Sequence, residues 1–152
     1  MESVRDLLKR KGTQVWFIRP QASVYEALEL MARHEIGALA VLEDSRLAGM
    51  VTERDYARNV ILKGRLSSTT NVREIMDARI LHVGLDHSVQ QCMELMTEER
   101  VRHLPVLEEG RLLGIVSIGD LVKSIIAEQK FFISQLESYI GGGSMMPAAQ
   151  PN

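Results

Sequence analysis

Two copies of one short motif combine the residue types that could bind a sugar phosphate. The first occupies residues 49–55 and the second residues 114–120, sixty-five positions later. In each copy an apolar run leads to a hydroxyl residue, Thr52 or Ser117, and an aspartate follows three residues later. If a strand ends at the hydroxyl and a helix begins there, the free N–H groups and the helix dipole favour an anion such as phosphate. An ionised carboxylate only accepts hydrogen bonds, which suits the two neighbouring hydroxyls of a ribose.

The same spacing also describes an ordinary helix start. A Ser or Thr followed three residues later by an acidic residue is typical of a capped helix, in which the hydroxyl accepts a hydrogen bond from a backbone N–H. Taken singly, either copy favours the cap over a binding site. Both interpretations therefore stay open for the motif itself, and its surroundings have to decide between them.

A wider duplication surrounds the motif. When residues 15–61 are placed on residues 80–126 without a gap, 15 of the 47 positions are identical. A short leader recurs as well, because residues 4–8 resemble residues 72–76 at an offset of sixty-eight. Unrelated segments would share only a few identities, so the pattern indicates an internal repeat. Each unit alone is close to the size at which a core becomes marginal, so we expect the two units to pack together.

The composition indicates a soluble globular protein with one cysteine. Of its 152 residues 45% are apolar and 25% are charged, and the formal net charge is −2. This balance gives no support to nucleic-acid binding, which depends on neutralising phosphates. No apolar stretch is long enough to span a membrane. Cys92 alone cannot form an intramolecular disulfide or a cysteine-based zinc site, so we expect a reducing, cytoplasmic setting.

Apolar periodicity predicts the same order of elements, β-α-β-β-α, in both units. The predicted strands of the first unit are 15–18, 38–42 and 46–51, with helices from Ser23 and from Thr52 to about Leu62. The second unit has a helical turn at 72–76, strands at 80–83, 103–107 and 111–116, and helices at 88–98 and from about 118. Apolar residues continue along the last helix to Ile140 without a counterpart in the first unit. We expect a second subunit to cover them.

These motifs resemble those of the cystathionine-β-synthase (CBS) domain pair, also called a Bateman module. The resemblance covers residues 1 to about 128 and rests on the duplicated motif together with residues 36–41 and 102–106. It implies a mixed α+β or α/β fold, in which two β-α-β-β-α repeats are related by a pseudo-twofold axis and enclose a cleft. The corresponding division is 1–66 for the first repeat, 67–128 for the second, 129–140 for a C-terminal helix extension and 141–152 for a flexible tail.

The resemblance also implies a ligand, because modules of this family bind adenosine-containing molecules between the repeats. AMP is the leading candidate, with ADP, ATP, NAD(H) and S-adenosylmethionine as others, and no catalytic cofactor is expected. On the family pattern, ribose and phosphate are held by Thr52, Arg54, Asp55, Arg102, His103, Ser117 and Asp120. The adenine wall is formed by Ile18, Ile36, Gly37, Ala38, Val83 and Val101. The family often pairs the wall of one repeat with the aspartate of the other, so residues 36–38 would serve Ser117 and Asp120 and leave Arg102 and His103 near the phosphate.

The function implied by the resemblance is that of a non-catalytic, homodimeric sensor that signals to a separate and unidentified protein. An enzyme is a second hypothesis, but the chain has neither a Gly-x-x-x-x-Gly-Lys phosphate loop nor a Gly-x-Gly-x-x-Gly fingerprint. Its four histidines show no metal-ligand spacing. A nucleotide-free dimerisation scaffold, whose motifs merely cap helices, is the third hypothesis.

Overall fold

The computed structural model describes residues 1–143 of the chain. The helices are α1 (Val4–Lys11), α2 (Val24–His34), α3 (Glu53–Asn59), α4 (Val89–Glu99) and α5 (Ile118–Gly143). The strands are β1 (Phe17–Ile18), β2 (Ala38–Glu43), β3 (Arg46–Thr52), β4 (His103–Glu108) and β5 (Arg111–Ser117). Single 3₁₀ turns cover Ile61–Lys63, Ser67–Thr69 and Val72–Glu74. In this region no helix combines the length and apolar character needed to cross a membrane.

Reciprocal capping fixes where the repeated helices begin. Ser23 Oγ accepts a hydrogen bond from the Glu26 N–H at 3.1 Å, and the Glu26 carboxylate accepts one from the Ser23 N–H at 3.1 Å. Ser88 and Gln91 repeat this arrangement at the start of α4. The N-terminal N–H groups, which have no partner within a helix, are satisfied in this way. The predicted starts of both helices are therefore confirmed.

The hairpins of the two repeats match down to their irregularities. Strand β2 pairs antiparallel with β3, and β4 pairs antiparallel with β5. Both ladders shift register at the same place, between Val41 and Leu42 and between Val106 and Leu107. The β2–β3 turn has positive φ at Asp44 and Ser45, as expected for a two-residue hairpin connection. Duplication thus preserved the bulge as well as the strands.

The first strand differs between the repeats, and the prediction of a strand at 80–83 is wrong. In the first repeat β1 pairs in parallel with β2 and completes a three-stranded sheet. In the second repeat only Val83 makes a comparable parallel bridge, to Val106. The preceding chain is held elsewhere, because Asp77 exchanges two backbone hydrogen bonds with Met50 of β3. The segment after Asp77 therefore crosses from one sheet to the other and has only one residue left for pairing.

Three other boundaries differ from the prediction. The helix expected at 52–62 ends at Asn59, and a 3₁₀ turn follows before Gly64, whose φ is +69°. The helical turn expected at 72–76 is a 3₁₀ turn over Val72–Glu74. Helix α5 continues through Gly143, so Gly141–Gly143 belong to the helix and not to the predicted tail. The rest of the predicted tail lies outside the described residues.

The leaders of the two repeats are exchanged. Val4, Leu7 and Leu8 of α1 are buried in the core of the second repeat, which also contains Val89 and Leu104. Conversely, the leader of the second repeat contributes Val72 and Ile75 to the core of the first repeat. Backbone bonds fasten both exchanges, from Val4 N–H to His87 O at 2.8 Å and from Val72 N–H to Ala22 O at 2.9 Å. Each core is therefore completed by the leader of the other repeat.

The motif glycines lie where the exchanged segments pack closely against the strands. A Cβ added at Gly49 would lie 2.4 Å from the Asp77 carbonyl oxygen. A Cβ added at Gly114 would lie 3.0 Å from Leu8 Cδ2 of α1. The glycine that opens each motif copy is thus explained by packing between repeats.

Small side chains form the junction of the two sheets. Ala38, Ala40 and Met50 make a separate buried cluster, and Leu112 and Ile115 of β5 pack against it. This cluster brings β3 of one repeat next to β5 of the other. The two motif copies begin within these strands and continue into α3 and α5, so they lie on either side of the pseudo-twofold junction.

Candidate ligand cleft

The first motif copy is a complete capping box at the start of α3. Asp55 Oδ2 accepts hydrogen bonds from the Thr52 N–H at 2.9 Å and from Thr52 Oγ1 at 3.0 Å. The Asp55 N–H donates back to Thr52 Oγ1 at 3.1 Å. Asp55 Oδ1 accepts no hydrogen bond from any residue between 1 and 143, and the residue lines a cleft. One carboxylate oxygen thus stabilises the helix start, while the other is available to a ligand.

The second motif copy has the same local geometry and a different neighbour. Asp120 Oδ2 accepts from the Ser117 N–H at 2.8 Å, and the Asp120 N–H donates to Ser117 Oγ at 3.2 Å. The Lys11 ammonium, at the end of α1, lies 2.5 Å from the same oxygen. Lys11 also donates to the Ile115 carbonyl oxygen at 2.6 Å. The two aspartates therefore differ in charge environment despite their common motif.

A cleft of about 540 Å³ lies between the repeats on the side of the first motif copy. Thr52, Arg54 and Asp55 line it from the first repeat. Residues 101–103 line it from the second repeat, at the entry of β4. Its volume falls within the range of pockets that enclose small-molecule ligands. Residues from opposite repeats thus face one space, as the pseudo-twofold arrangement predicts.

The structure brings together seven of the thirteen predicted site residues. Those that line the cleft are Gly37, Thr52, Arg54, Asp55, Val101, Arg102 and His103. The first aspartate therefore shares its cleft with the strand entry of the second repeat. The expected pairing placed residues 36–38 of the first repeat with Ser117 and Asp120 of the second. The observed cleft has the opposite arrangement, with residues 101–103 of the second repeat facing Thr52 and Asp55 of the first.

The other six predicted residues lie elsewhere. Ser117 and Asp120 are not among the residues that line this cleft. Ala38 is buried in the junction cluster, and Ile36 packs against the core of the first repeat. Ile18 borders a separate concavity near the β2–β3 turn, and Val83 is a core residue of the second repeat. Ile18 and Val83 therefore do not line this cleft, and their assignment to an adenine wall stays a prediction.

Charged residues that the sequence analysis missed complete the cleft. Five arginines and four carboxylates line it, including Arg58, Asp77, Arg79, Glu99 and Arg100. Arg79 donates to Asp77 Oδ2 at 2.8 Å and to Glu99 Oε1 at 3.1 Å, so its charge is balanced locally. Arg79 lies three residues after the end of its leader, as Lys11 does after the first leader, and this shared spacing of a cation was a usable signal. Nothing in the sequence indicated the others, since they meet only through packing of the two repeats.

Burial and neighbouring charges move the pKa values of the two aspartates in opposite directions. Burial raises the pKa of the Asp55 carboxyl, with a smaller contribution from the nearby Asp77 carboxylate, against the hydrogen bonds from Thr52. Burial would also raise the pKa of Asp120, but the hydrogen bonds from Lys11 and from the Ser117 backbone outweigh it and lower that pKa. Burial, Lys11 and Arg102 lower the pKa of His103, against an opposing effect of Asp120. His103 therefore favours its neutral form, which can donate or accept a hydrogen bond.

The fold and the cleft define a class: duplicated α/β modules with a ligand-sized space between their repeats. A family model described as "CBS domain" matches the chain twice, over residues 4–61 and 72–127. The chain belongs to this family, as a tandem CBS-domain pair, and the predicted family and fold class are confirmed. The general role of such modules is regulatory.

Three relatives illustrate the match. The chain is 37% identical over 150 residues to the CBS domain-containing protein CBSX3, mitochondrial, of Arabidopsis thaliana, covering 93% of this chain and 73% of the relative. A Burkholderia ambifaria MC40-6 protein with CBS domains, provisionally assigned to signal transduction, is 49% identical, with a TM-score of 0.81 and coverage of 84% of this chain and 96% of that one. Hypoxic Response Protein I, solved with two coordinated zinc ions, is 31% identical, with a TM-score of 0.69 and coverage of 82% and 99%.

Proposed function

We propose that this CBS-domain pair is a non-catalytic sensor that binds an adenosine-containing nucleotide in the cleft at Asp55. One observation carries the proposal: the half-buried Asp55 carboxylate, with its Oδ1 available, shares a cleft with cationic side chains of both repeats. A ribose diol needs an acceptor, and a phosphate needs cationic donors. The cleft supplies both within one space.

Each part of the nucleotide has a stated counterpart. Asp55 Oδ1 accepts hydrogen bonds from the ribose hydroxyls, while Oδ2 continues to cap α3. Arg102 and Arg54 donate to the phosphate from opposite repeats, and the Arg54 guanidinium first leaves the Arg100 carbonyl oxygen, 3.2 Å away. Because α3 has only seven residues, these arginines and not the helix dipole carry the anion binding. Val101 and Gly37 offer the apolar and main-chain surface against which adenine packs.

AMP remains the leading ligand, and ADP, ATP, NAD(H) and S-adenosylmethionine remain the other candidates. Calorimetric titration of the purified protein with each of them tests the proposal. Asp55→Asn is the informative variant, because the amide still caps α3 through its oxygen but weakens acceptance from two ribose hydroxyls. We expect at least a tenfold loss of affinity for the nucleotide that binds. Equal affinity of the variant and the wild type for every adenine nucleotide would remove the ribose role of Asp55.

A nucleotide-free scaffold is the competing function, and the capping box itself favours it, since Thr52 and Asp55 already satisfy each other. On that view no adenosine ligand at millimolar concentration changes the melting temperature. Zinc is a separate outcome to measure, given the zinc-bound relative. Within residues 1–143 no group of three His, Cys, Asp or Glu side chains is placed to hold a metal ion. Turnover of a bound nucleotide that is lost in Asp55→Asn would instead favour an enzyme.

We also propose that the end of α5 joins two copies of the chain into a homodimer. Ile126, Ile133, Leu136 and Ile140 are exposed and follow one another at intervals of seven, three and four residues. This spacing forms the apolar seam of a two-helix coiled coil. A second copy presents the same seam, so the contact is self-complementary.

Sedimentation measures the proposed dimer. Ile133→Glu places a charge in the seam and is expected to convert a dimer into the 17.1 kDa monomer. Ser134→Glu adds the same charge to the same helix outside the seam and is expected to leave the dimer intact. A wild-type monomer at micromolar concentration, or equal behaviour of the two variants, would contradict the proposal.

The regulated protein and the compartment belong to the same proposal. The sensor acts on a separate protein, because a ligand that spans two repeats can change their relative arrangement and so the surface offered to a partner. A cytoplasmic, reducing setting is supported by Cys92, a buried free thiol whose pKa is raised by burial to about 11. Such a thiol is a poor nucleophile at neutral pH.

A further inference from the structure

Lys11 and Arg79 each lie three residues after the end of a leader but make different contacts. The offset of sixty-eight that aligns the leaders also aligns these two cations. Arg79 lines the cleft at Asp55, yet it is bound by Asp77 and Glu99 and not by the motif aspartate. Lys11 is bound by the motif aspartate of the other copy, Asp120, at 2.5 Å. The pseudo-symmetry of the chain is therefore broken at its two ligand motifs.

The Lys11 ammonium also donates a hydrogen bond to a backbone carbonyl oxygen of the second motif copy. It donates to the Ile115 carbonyl oxygen at 2.6 Å. The counterpart of that oxygen in the first repeat, on Met50, accepts the Asp77 backbone N–H at 2.8 Å. In the first repeat a backbone N–H therefore donates to this carbonyl oxygen. In the second repeat the donor is the Lys11 side chain, which also contacts the motif carboxylate of Asp120. The side chains of Lys11 and Asp120 are 34% and 18% exposed, so the pair is partly withdrawn from water.

We propose that Lys11 prevents a nucleotide from binding at Asp120 because it pairs with that carboxylate. One chain then binds a single nucleotide, at Asp55. The inference rests on the proposed nucleotide function and adds the residue that sets its stoichiometry. A ribose diol has to compete at Asp120 with a charge-assisted hydrogen bond, which is stronger than the bond from a neutral hydroxyl. At Asp55 no cation within residues 1–143 forms a salt bridge with the carboxylate, although the Arg54 charge lies nearby. Removal of the ammonium therefore leaves the Asp120 carboxylate able to accept hydrogen bonds from a ribose diol, and we expect a second nucleotide to bind there.

The test is the number of nucleotides bound per chain, with AMP and ATP as probes in calorimetry and equilibrium dialysis. We expect one equivalent for the wild type and two for Lys11→Met, which keeps the aliphatic stem that covers the protein surface. The added equivalent is expected to disappear in Lys11→Met combined with Asp120→Asn. Lys9→Met removes a neighbouring exposed cation of α1 and serves as the matched control, with one equivalent. Two equivalents in the wild type, or one in Lys11→Met, would overturn the inference.

A ligand-free measurement separates this inference from the proposed function. Carboxyl-carbon NMR titration of Asp120 should show a higher pKa in Lys11→Met than in the wild type, with no change in Lys9→Met. An unchanged Asp120 titration in Lys11→Met would show that the ion pair does not form and would overturn the inference. If the titration shifts but neither protein binds any probe, the ion pair stands and the nucleotide function fails.

Discussion

At the scale of single residues, the two motif aspartates share a local geometry but not an environment. Both cap a helix through Oδ2, and both follow a strand. Asp55 lies near the Asp77 carboxylate, whereas Asp120 contacts Lys11. A nearby carboxylate raises the free energy of ionising Asp55. Hydrogen bonds donated by a ligand would stabilise its ionised form. A carboxylate paired with an ammonium instead stabilises the fold.

Replacing each aspartate by asparagine should therefore have opposite effects on stability. Asp120→Asn loses a charge-assisted bond that is partly exposed, and we expect the free energy of unfolding at pH 7 to fall by about 1 kcal/mol. Asp55→Asn keeps the cap and removes a desolvated charge, so we expect no loss and a small gain. Urea denaturation of both variants measures the difference. A similar loss in both would mean that the cap, and not the environment, dominates.

The lowered pKa of Asp120 also predicts a pH dependence. Because the folded-state pKa lies below the ordinary value of 3.8, the ion pair contributes stability above that value and loses it as pH falls through the folded-state pKa. The stability difference between the wild type and Lys11→Met should therefore be full at pH 7 and shrink below about pH 4. Chemical denaturation from pH 7 to pH 2.5 measures it, with Lys9→Met as control. A difference that stays constant over this range would exclude Asp120 as its source.

At the scale of elements, the exchanged leaders determine how the repeats depend on each other. Helix α1 buries Leu7 in the core of the second repeat, and the 3₁₀ turn after the linker buries Val72 in the core of the first. The division at residue 66 that follows from the sequence repeat therefore cuts through both cores. Each leader packs in the core of the repeat that does not follow it directly in the sequence, so neither half of the chain has a complete core of its own.

Truncating a leader should consequently loosen the distant repeat. We expect Leu7→Ala to cost about 2–5 kcal/mol, as for other fully buried leucines. Amide hydrogen exchange under native conditions should increase first in α4 and β4, and not in the adjacent α2 and β2. Val72→Ala should show the reverse pattern. If faster hydrogen exchange were confined to the repeat that follows the mutated leader in the sequence, the leaders would not be packed in the opposite repeats.

At the scale of the whole molecule, the cleft exists only because two repeats meet. Thr52 and Asp55 come from one repeat and Arg102 from the other, and the small-residue cluster at the junction holds β3 and β5 together. On the proposed function, a nucleotide in this cleft contacts both halves. Its binding free energy therefore adds to the stability of their association and favours one relative arrangement.

Nucleotide binding should raise the stability of the whole chain in a single transition. At 100 times its dissociation constant the ligand contributes about 2.7 kcal/mol, which corresponds to an increase in melting temperature of roughly 5–10 °C for a chain of this size. Calorimetry with AMP or ATP measures the shift, and Asp55→Asn at the same ligand concentration should lose most of it. Lys9→Met should behave as the wild type. Stabilisation of one repeat alone, seen as two separate transitions, would argue against a bridging ligand.

The sequence alone determined the duplication, the starts of α2 and α4, the hairpins and the positions of both motif copies. These features depend on residues a few positions apart, such as Ser23 with Glu26 and Thr52 with Asp55, and such interactions are readable from spacing. Tertiary structure decided that Asp55 lines the cleft between the repeats and that Asp120 pairs with Lys11, because the partners of both aspartates come from distant parts of the chain. Lys11 reaches Asp120 across 109 positions, and no local pattern predicts that its counterpart Arg79 turns to Asp77 and Glu99. The packing of the two exchanged leaders decides which carboxylates Lys11 and Arg79 contact.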